Sequence, residues 1–398
     1  MMLLPVDEAI ATIVEASAAL PSETIDLHHA SGRTLAAPVV AKLDNPPFPA
    51  SAMDGYAVRA ADVTEGAVLK QIGEVSAGAL PIGLTVAPGT CVRIFTGAAV
   101  PDGADAVIMQ EDTEASAAGI LFKTSAAAGR NIRKKGNDFQ AGDVLLQTGT
   151  ALGPAQMALV AAGNNAQVIV CRRPHVALLA TGDELLPVGS APAPGQIISS
   201  NTTGLSAVFG GACNVTDFGI APDDRAVLGS ILQTMLAREP NVIVTTGGAS
   251  VGEHDFVQEM LIANGVEIGF WRLAMRPGKP LMFGRKGNTL VFGLPGNPVS
   301  ALVTAQVFVL PAIRAMLGQE QTTPLTIPLG ADLPENGSRR HYVRARLQRG
   351  SDGQTCAVPI GETDSGHLSS LAQSDCLIIQ PENAPAMGAG TLVDVLPL

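Results

Sequence analysis

Between residues 171 and 320, short apolar runs rich in β-branched residues alternate with helix-length segments, and each run stops at a glycine or proline turn. That alternation predicts a parallel sheet covered by helices. Its sharpest instance is VIVTTGGASVGEHD, Val242 to Asp255. Val242, Ile243 and Val244 read as a buried strand. The strand ends at Gly247-Gly248, and Ser250, Gly252 and Asp255 follow in the same loop. Glycines let backbone amides come close to an anion, and a nearby carboxylate can hold a metal ion or a reacting group. Open α/β sheets bind ligands at the carboxyl edge of their strands. One such turn alone is equally consistent with an ordinary strand-to-helix connection.

Neighbouring segments repeat the pattern. His175–Ala180 runs into Thr181-Gly182-Asp183-Glu184, and Asn214–Ile220 runs into Ala221-Pro222-Asp223-Asp224. The hairpin-like LMFGRKGNTLVFGL (Leu281–Leu294) lies between MRPGKP and PGNP. Four strand ends carrying Gly/Pro turns beside charged groups predict one shared pocket. The expected helices are Asn201–Phe209, Asp223–Arg238, Asp255–Ala263 and Pro298–Leu317. Asp223 and Asn297 occupy the positions of N-caps, the latter just ahead of Pro298.

The 398 residues are too many for one core. The expected fold class is multi-domain α/β: a central parallel-sheet domain with helices on both faces, a small β-rich insertion and a β-rich C-terminal domain. The expected division is 1–45 with 138–170 as a linking or dimerisation domain, 46–137 as the insertion, 171–322 as the α/β domain and 323–398 as the tail. After Thr322 no further helix is expected; HYVRARL, CAVPI, DCLIIQ and TLVDVLPL read as strands.

A net charge of −11 argues against general nucleic-acid binding. No apolar run approaches the roughly 18 residues of a membrane span, and the acidic N-terminus reads as an amphipathic helix rather than a signal peptide. Five scattered cysteines fit free thiols in a reducing cytoplasm and carry no zinc signature. No Walker A loop and no intact G-x-G-x-x-G is present. The basic stretch Arg130–Lys135 lacks interleaved aromatics, so it reads as a solvated hairpin or a phosphate-steering surface.

PPFPASAMDGYAV, RIFTGAAVPDGADAVIMQED, ALLATGDEL, SNTTGL, TTGGASVGEHDFV, MRPGKPLMFG and FGLPGNPVSALVT occur in that order between Pro46 and Thr304. This series resembles the molybdopterin molybdenumtransferases, the MoeA and gephyrin E-domain family. The resemblance implies insertion of molybdate into adenylylated molybdopterin, with release of molybdenum cofactor and AMP, and a requirement for a divalent cation such as Mg2+. It also implies a homodimer whose active site lies in a cleft made by both subunits, with molybdopterin adenylyltransferase and molybdoenzyme maturation proteins as partners.

Carried onto this sequence, the family motifs assign catalytic roles to Asp54, Thr96, Glu184, Asp223 and Asp255, with Glu184 and Asp255 as metal ligands. They assign substrate binding to Gly247, Gly248, Ser250, Arg272, Arg276, Lys279, Pro295, Pro298, Arg344 and Ser365. Molybdate and a pterin phosphate are both anions, which suits glycine amides and cations. Cleaving a phosphoanhydride suits a metal held by carboxylates. Some relatives carry lysine where this chain has Arg272 and Arg276, and a guanidinium grips an oxyanion as a fork where an ammonium acts as a point charge.

Other assignments exist for several of these residues. Asp223 is placed to cap a helix, Asp54 precedes glycine as a turn acid does, and Thr96 is placed to bond its own turn. Arg344 is placed either to meet substrate or to join Arg340 and Arg346 on a solvated strand. At the level of function, the alternatives are a molybdopterin adenylyltransferase, whose α/β domain shares the glycine-loop design, and a gephyrin-like scaffold. The additional β regions argue against the first and the intact acids against the second.

Overall fold

The computed structural model describes residues 3–247, 256–350, 353–361 and 364–398. Its central sheet has six strands in the order Asn214–Ala221, His175–Thr181, Val242–Thr246, Thr289–Leu294, Met282–Lys286, Glu267–Trp271. The first four are parallel. The last two continue antiparallel, so the sheet is mixed, and the hairpin read in Leu281–Leu294 is its turning point. A tight Gly287 turn allows this reversal where a helical crossover would otherwise be needed.

Both faces of the sheet are covered. Val176, Leu178, Val242 and Val244 point into one core with Leu205, Phe209, Val299 and Phe308. The alternate residues Ala177, Leu179 and Ile243 point into the other with Leu228, Leu232 and Leu261. This period-2 division explains why the strands read as continuous apolar runs rather than as alternating ones. The N-terminal helix Val6–Ala16 contributes Val6, Ala9 and Ile13 to the first core.

Helices fall at Asn201–Gly210, Arg225–Ala237 and Phe256–Ala263, close to expectation. The N-cap of Arg225–Ala237 is Asp224, whose carboxylate accepts the Val227 amide at 2.9 Å, and not Asp223. The cap needs an extended backbone one residue before the first helical turn, which Asp224 supplies. Pro298–Met316 is a continuous 19-residue helix, long and apolar enough by length and composition to cross a membrane, contrary to the sequence expectation. Its residues line the first core and 67% of the span is buried in the protein, as in a core helix. A π-helical stretch, Ala305–Val309, interrupts it.

An inserted six-stranded sheet runs in the order Ala106–Met109, Gly55–Val58, Thr90–Ile94, Val68–Val75, Gly119–Phe122, Thr113–Ser116. Short ladders, Ser22–Asp26 with Gln167–Cys171 and Val39–Val40 with Val144–Leu146, close the region between the insertion and the central sheet. The C-terminal sheet holds Arg340–Arg349, Thr355–Pro359, Cys376–Gln380, Leu392–Pro397 and Leu325–Pro328, joined at one edge by Met275–Arg276. A short helix, Leu368–Ala372, also forms there, against the expectation that helices end at Thr322. Five residues are too few to leave a helical period in the sequence. All five cysteines are free.

Candidate active site

Parallel pairing forces the four strand ends picked out in the sequence onto one edge. Thr181 lies beside Ala221, Ala180 beside Thr246, and Thr246 beside Leu294. Because Met282–Lys286 runs the other way, its leading segment Arg276–Pro280 arrives at the same edge. Thr181 to Glu184, Pro222 to Asp224, Gly247, Pro295 to Asn297 and Arg276 to Lys279 therefore converge.

Backbone approach sets the glycines at this edge. Gly247 has φ +88°, and a Cβ there would strike the Thr181 carbonyl. Its neighbour across the pocket is Gly296, where a Cβ would come to 3.7 Å from the Gly247 Cα. Asn201 Nδ2 donates to the Gly296 carbonyl at 2.8 Å, tying the SNTTGL helix to the proline loop. The Glu184 carboxylate folds back into the space a Cβ at Gly182 would take. The side chains of Glu184 and Asp223 are exposed, and Asp183 Oδ1 accepts the Asp223 amide at 3.0 Å. A cavity of about 500 Å3 opens here, lined by Gly182, Asp183, Ser199, Thr202, Asp217 and Pro222.

Buried polar atoms are unusually poorly matched at this edge. Among the described residues, the buried side-chain atoms without a hydrogen-bond partner are Thr245 Oγ1, Thr246 Oγ1 and Arg276 Nε. All three belong to it, and most buried polar groups in proteins are paired. Arg276 donates one bond, Nη2 to Asn336 Oδ1 at 3.1 Å. Burial, together with the Arg339 charge, lowers its pKa. His341 pairs with Arg276 across the tail-sheet edge. Burial first, and the charges of Arg276, Arg344 and Arg339, bring His341 down to about 4, so its ring is neutral at pH 7. Arg272 sits at φ +81°, a strained value for a residue with a side chain, with its guanidinium 6.0 Å from the Trp271 ring centre. Lys279 is exposed.

The proline loop meets the tail domain. Asn297 has the backbone of an N-cap, but its side chain does not cap; Nδ2 donates to Ser365 Oγ at 2.8 Å. Pro298 is the first residue of its helix and Pro295 is buried. Arg344 is 5% exposed, which excludes a solvated strand position. It donates to the carbonyls of His367 and Asp364, at 3.2 and 3.1 Å, and to Ser370 Oγ. Arg344 thus organises the loop that carries Ser365. Arg340 is also largely buried and paired to Asp7, leaving Arg346 as the exposed member of that strand.

Asp54 and Thr96 are brought together, but in the inserted sheet. The Thr96 amide and hydroxyl both donate to Asp54 Oδ1, at 2.7 and 2.8 Å. These two bonds, the amide's first, hold the Asp54 carboxyl below its ordinary value of 3.8. The glycine after Asp54 is no free turn: Gly55 opens a strand so close to the Ile108 carbonyl that a Cβ has no room. In the basic stretch, Arg130 pairs with Asp112 and Lys135 with Asp44, and Ile132–Arg133 pairs with the distant Ala50–Ser51, so the stretch is not the hairpin expected from the sequence.

Gly248, Ser250 and Asp255 lie outside the described residues. Sequence reasoning gave no site role to Asn201, Asn336 and His341, read Asp183 as a strand-end acid and read Asn297 as a helix cap. Asn201, Asp183 and Asn297 stand inside family-like motifs, whereas Asn336 and His341 carry no local pattern that marks them.

The fold defines a multi-domain α/β protein whose helix-covered sheet presents an anion-suited edge. Family models match along nearly the whole chain: the MoeA N-terminal region (domain I and II) at residues 4–163, a probable molybdopterin binding domain at 177–315, and the MoeA C-terminal region (domain IV) at 326–398. A molybdopterin molybdenumtransferase of Nostoc sp. is 37% identical over 95% of this chain and 89% of the relative. One of Haemophilus influenzae is 34% identical over 99% and 98%. The molybdopterin biosynthesis MoeA protein of Pyrococcus horikoshii OT3 superimposes with TM-score 0.84 at 28% identity, covering 100% of both chains. The chain belongs to the molybdopterin molybdenumtransferase family, and so to the transferases of molybdenum cofactor biosynthesis.

Proposed function

We propose that this chain inserts molybdate into adenylylated molybdopterin, releasing molybdenum cofactor and AMP. The observation that carries the reading is the convergence of the strand ends on the Gly247–Gly296 approach, beside the unpaired buried Thr246 hydroxyl and Arg276 Nε at the same edge. Donors left unmatched by the protein are matched by an oxyanion. Gly247, Gly248, Ser250, Arg272, Arg276 and Lys279 form the anion-binding wall of this proposal, and Pro295 and Pro298 shape its loop. Ser365, held by Asn297 and by the Arg344-organised loop, closes it from the tail side.

Mg2+ fits the donor set as a shared ion. Among the described residues no three His, Cys, Asp or Glu side chains gather as a cage. Mg2+ is commonly held by one or two carboxylates with substrate phosphates and water completing its shell. Glu184 and Asp255 are the residues that would hold it, supplying charge neutralisation where the adenylate's phosphate leaves. Asp223 follows the neighbouring strand end, where Asp224 and not Asp223 caps the helix.

The proposal extends to assembly. It divides the chain at 1–45 with 138–170, 46–137, 171–322 and 323–398, and pairs two chains so that Asp54 and Thr96 of one face the central edge of the other. In support, Asp54 and Thr96 bond each other within the inserted sheet, whose strands do not join the central one. The free thiols suit a reducing cytoplasm.

The test is AMP release from adenylylated molybdopterin by the purified chain. Release that requires both molybdate and a divalent cation is the expected result. Release without oxyanion would indicate a hydrolase, and consumption of ATP with free molybdopterin an adenylyltransferase.

A further inference from the structure

The segment that carries Arg272 and Arg276 is held from outside the site. Leu4 lies parallel to Leu273: the Leu4 amide donates to the Arg272 carbonyl at 3.2 Å, and the Ala274 amide donates to the Leu4 carbonyl at 2.9 Å. On the other side, the Arg340 amide donates to the Ala274 carbonyl at 2.9 Å, and Met275 and Arg276 pair with Arg340 and His341. The segment is thus the middle ply of three.

The outer plies are fastened to each other. Arg340 Nη1 and Nη2 donate to Asp7 Oδ1 and Oδ2 at 2.6 and 2.8 Å, a fork-to-fork pair between the tail sheet and the first turn of the N-terminal helix. Arg340 Nε lies 3.4 Å from Glu382 Oε1. The Arg340 side chain is 19% exposed and that of Asp7 75%, so the pair is open to solvent on the carboxylate side and its worth lies in its two-point geometry. The Arg340 bond lowers the Asp7 pKa, and the Asp7 carboxylate raises that of Arg340.

Leu273 and Met275 anchor the ply in the first core, but its backbone has few bonds within its own turn. Within its turn it has the Arg272 amide to the Leu281 carbonyl and the Leu273 amide to the Lys279 carbonyl, both at the start. Arg272 adds a strained φ of +81°, which persists only where surroundings fix it. Two long guanidinium arms on an unfixed backbone would lose the pre-organisation that oxyanion capture needs.

We infer that Leu4 and Asp7 are positioning residues: with Arg340 they splint the 272–276 segment and so hold Arg272 and Arg276 in register for an oxyanion. The inference rests on the anion-binding reading of those two arginines. Nothing in the N-terminal motif-free stretch marks this role in the sequence.

The test uses the full chain, with hydrogen exchange and molybdate binding by calorimetry as separate readouts. Asp7→Asn removes the fork, Asp7→Glu keeps it, and Leu4→Pro removes the amide that bonds Arg272. Expected for Asp7→Asn and Leu4→Pro is faster exchange at 272–276 with the Val242–Thr246 strand unchanged, and a rise in molybdate Kd of roughly three- to ten-fold. Asp7→Glu should recover most of the affinity. Exchange at 272–276 that stays at the wild-type rate in both variants overturns the splint. So does exchange that rises uniformly with a lower unfolding temperature and an unchanged Kd, which is the mark of a merely structural role. Arg276→Ala separates the two layers: if it leaves molybdate binding intact, the anion-binding reading fails, while the exchange rates still decide the splint.

Discussion

Two regions of this molecule present acids to the same proposed chemistry, and they do so in opposite ways. In the inserted sheet, Asp54 is fixed: two donations from Thr96 hold one carboxylate oxygen and keep the group ionised below the usual carboxylate range. At the central-sheet edge, Glu184 is exposed, and the fixed acid there is Asp183, which accepts the Asp223 amide and so positions backbone. A carboxylate with one oxygen held by two donors is a fixed local charge, suited to orienting and repelling. A carboxylate left open is a ligand, able to bind a cation or meet a leaving group. The difference divides the labour between a rigid wall and an adaptable one.

Removing the open acid should have the largest effect. Glu184→Gln keeps shape and removes charge, and turnover should fall by about 10^2-fold or more while binding of the adenylate changes far less. Equal losses in both, measured by single-turnover AMP release and by calorimetry, would make Glu184 a binding residue like any other.

A middle effect comes from loosening the fixed acid. Thr96→Val deletes the hydroxyl donation to Asp54 and leaves the amide, so the Asp54 pKa moves back up toward 3.8. A depressed carboxylate keeps its charge as pH falls until the folded-state pKa is passed. The variant should therefore lose activity at a higher pH than wild type on the acid side, with a loss of roughly one order of magnitude at neutral pH. Superimposable acid limbs would mean that Asp54 does not act through its charge.

The smallest effect tests the backbone role of Asp183. Asp183→Ala removes the acceptor of the Asp223 amide. One net hydrogen bond is worth about 1 kcal/mol, so turnover should drop about five-fold with no change in metal dependence. A shift in the Mg2+ concentration needed for half activity would show that Asp183 is itself a ligand.

The contrast between the two regions was only partly legible in the sequence. Apolar runs ending in Gly/Pro turns announced the central sheet and its pocket edge, because strands buried on both faces leave unbroken Val/Ile/Leu stretches. The hairpin in Leu281–Leu294 announced the one reversed strand, Met282–Lys286, but nothing in the composition announced that Glu267–Trp271 extends the sheet beyond it. Adjacent acids hid which one caps: the extended backbone that makes Asp224 the cap is not encoded in composition. Pairings between distant segments left no local trace. Arg276 with Asn336, Asn297 with Ser365 and Arg340 with Asp7 arise only when the tail sheet docks, so the role of Arg344 in organising a loop was not readable from HYVRARL.

On this reading the fixed and the open acids serve one site built from two chains. Mixing two inactive proteins, Asp54→Asn and Asp255→Asn, under subunit exchange tests it most directly. Each homodimer carries one lesion in both sites. A mixed dimer gathers both lesions in one site and leaves its other site intact. AMP release should return on mixing, toward half the wild-type rate per heterodimer. Heterodimers that form, as seen by native mass spectrometry, yet remain inactive would mean that each site is built within a single chain.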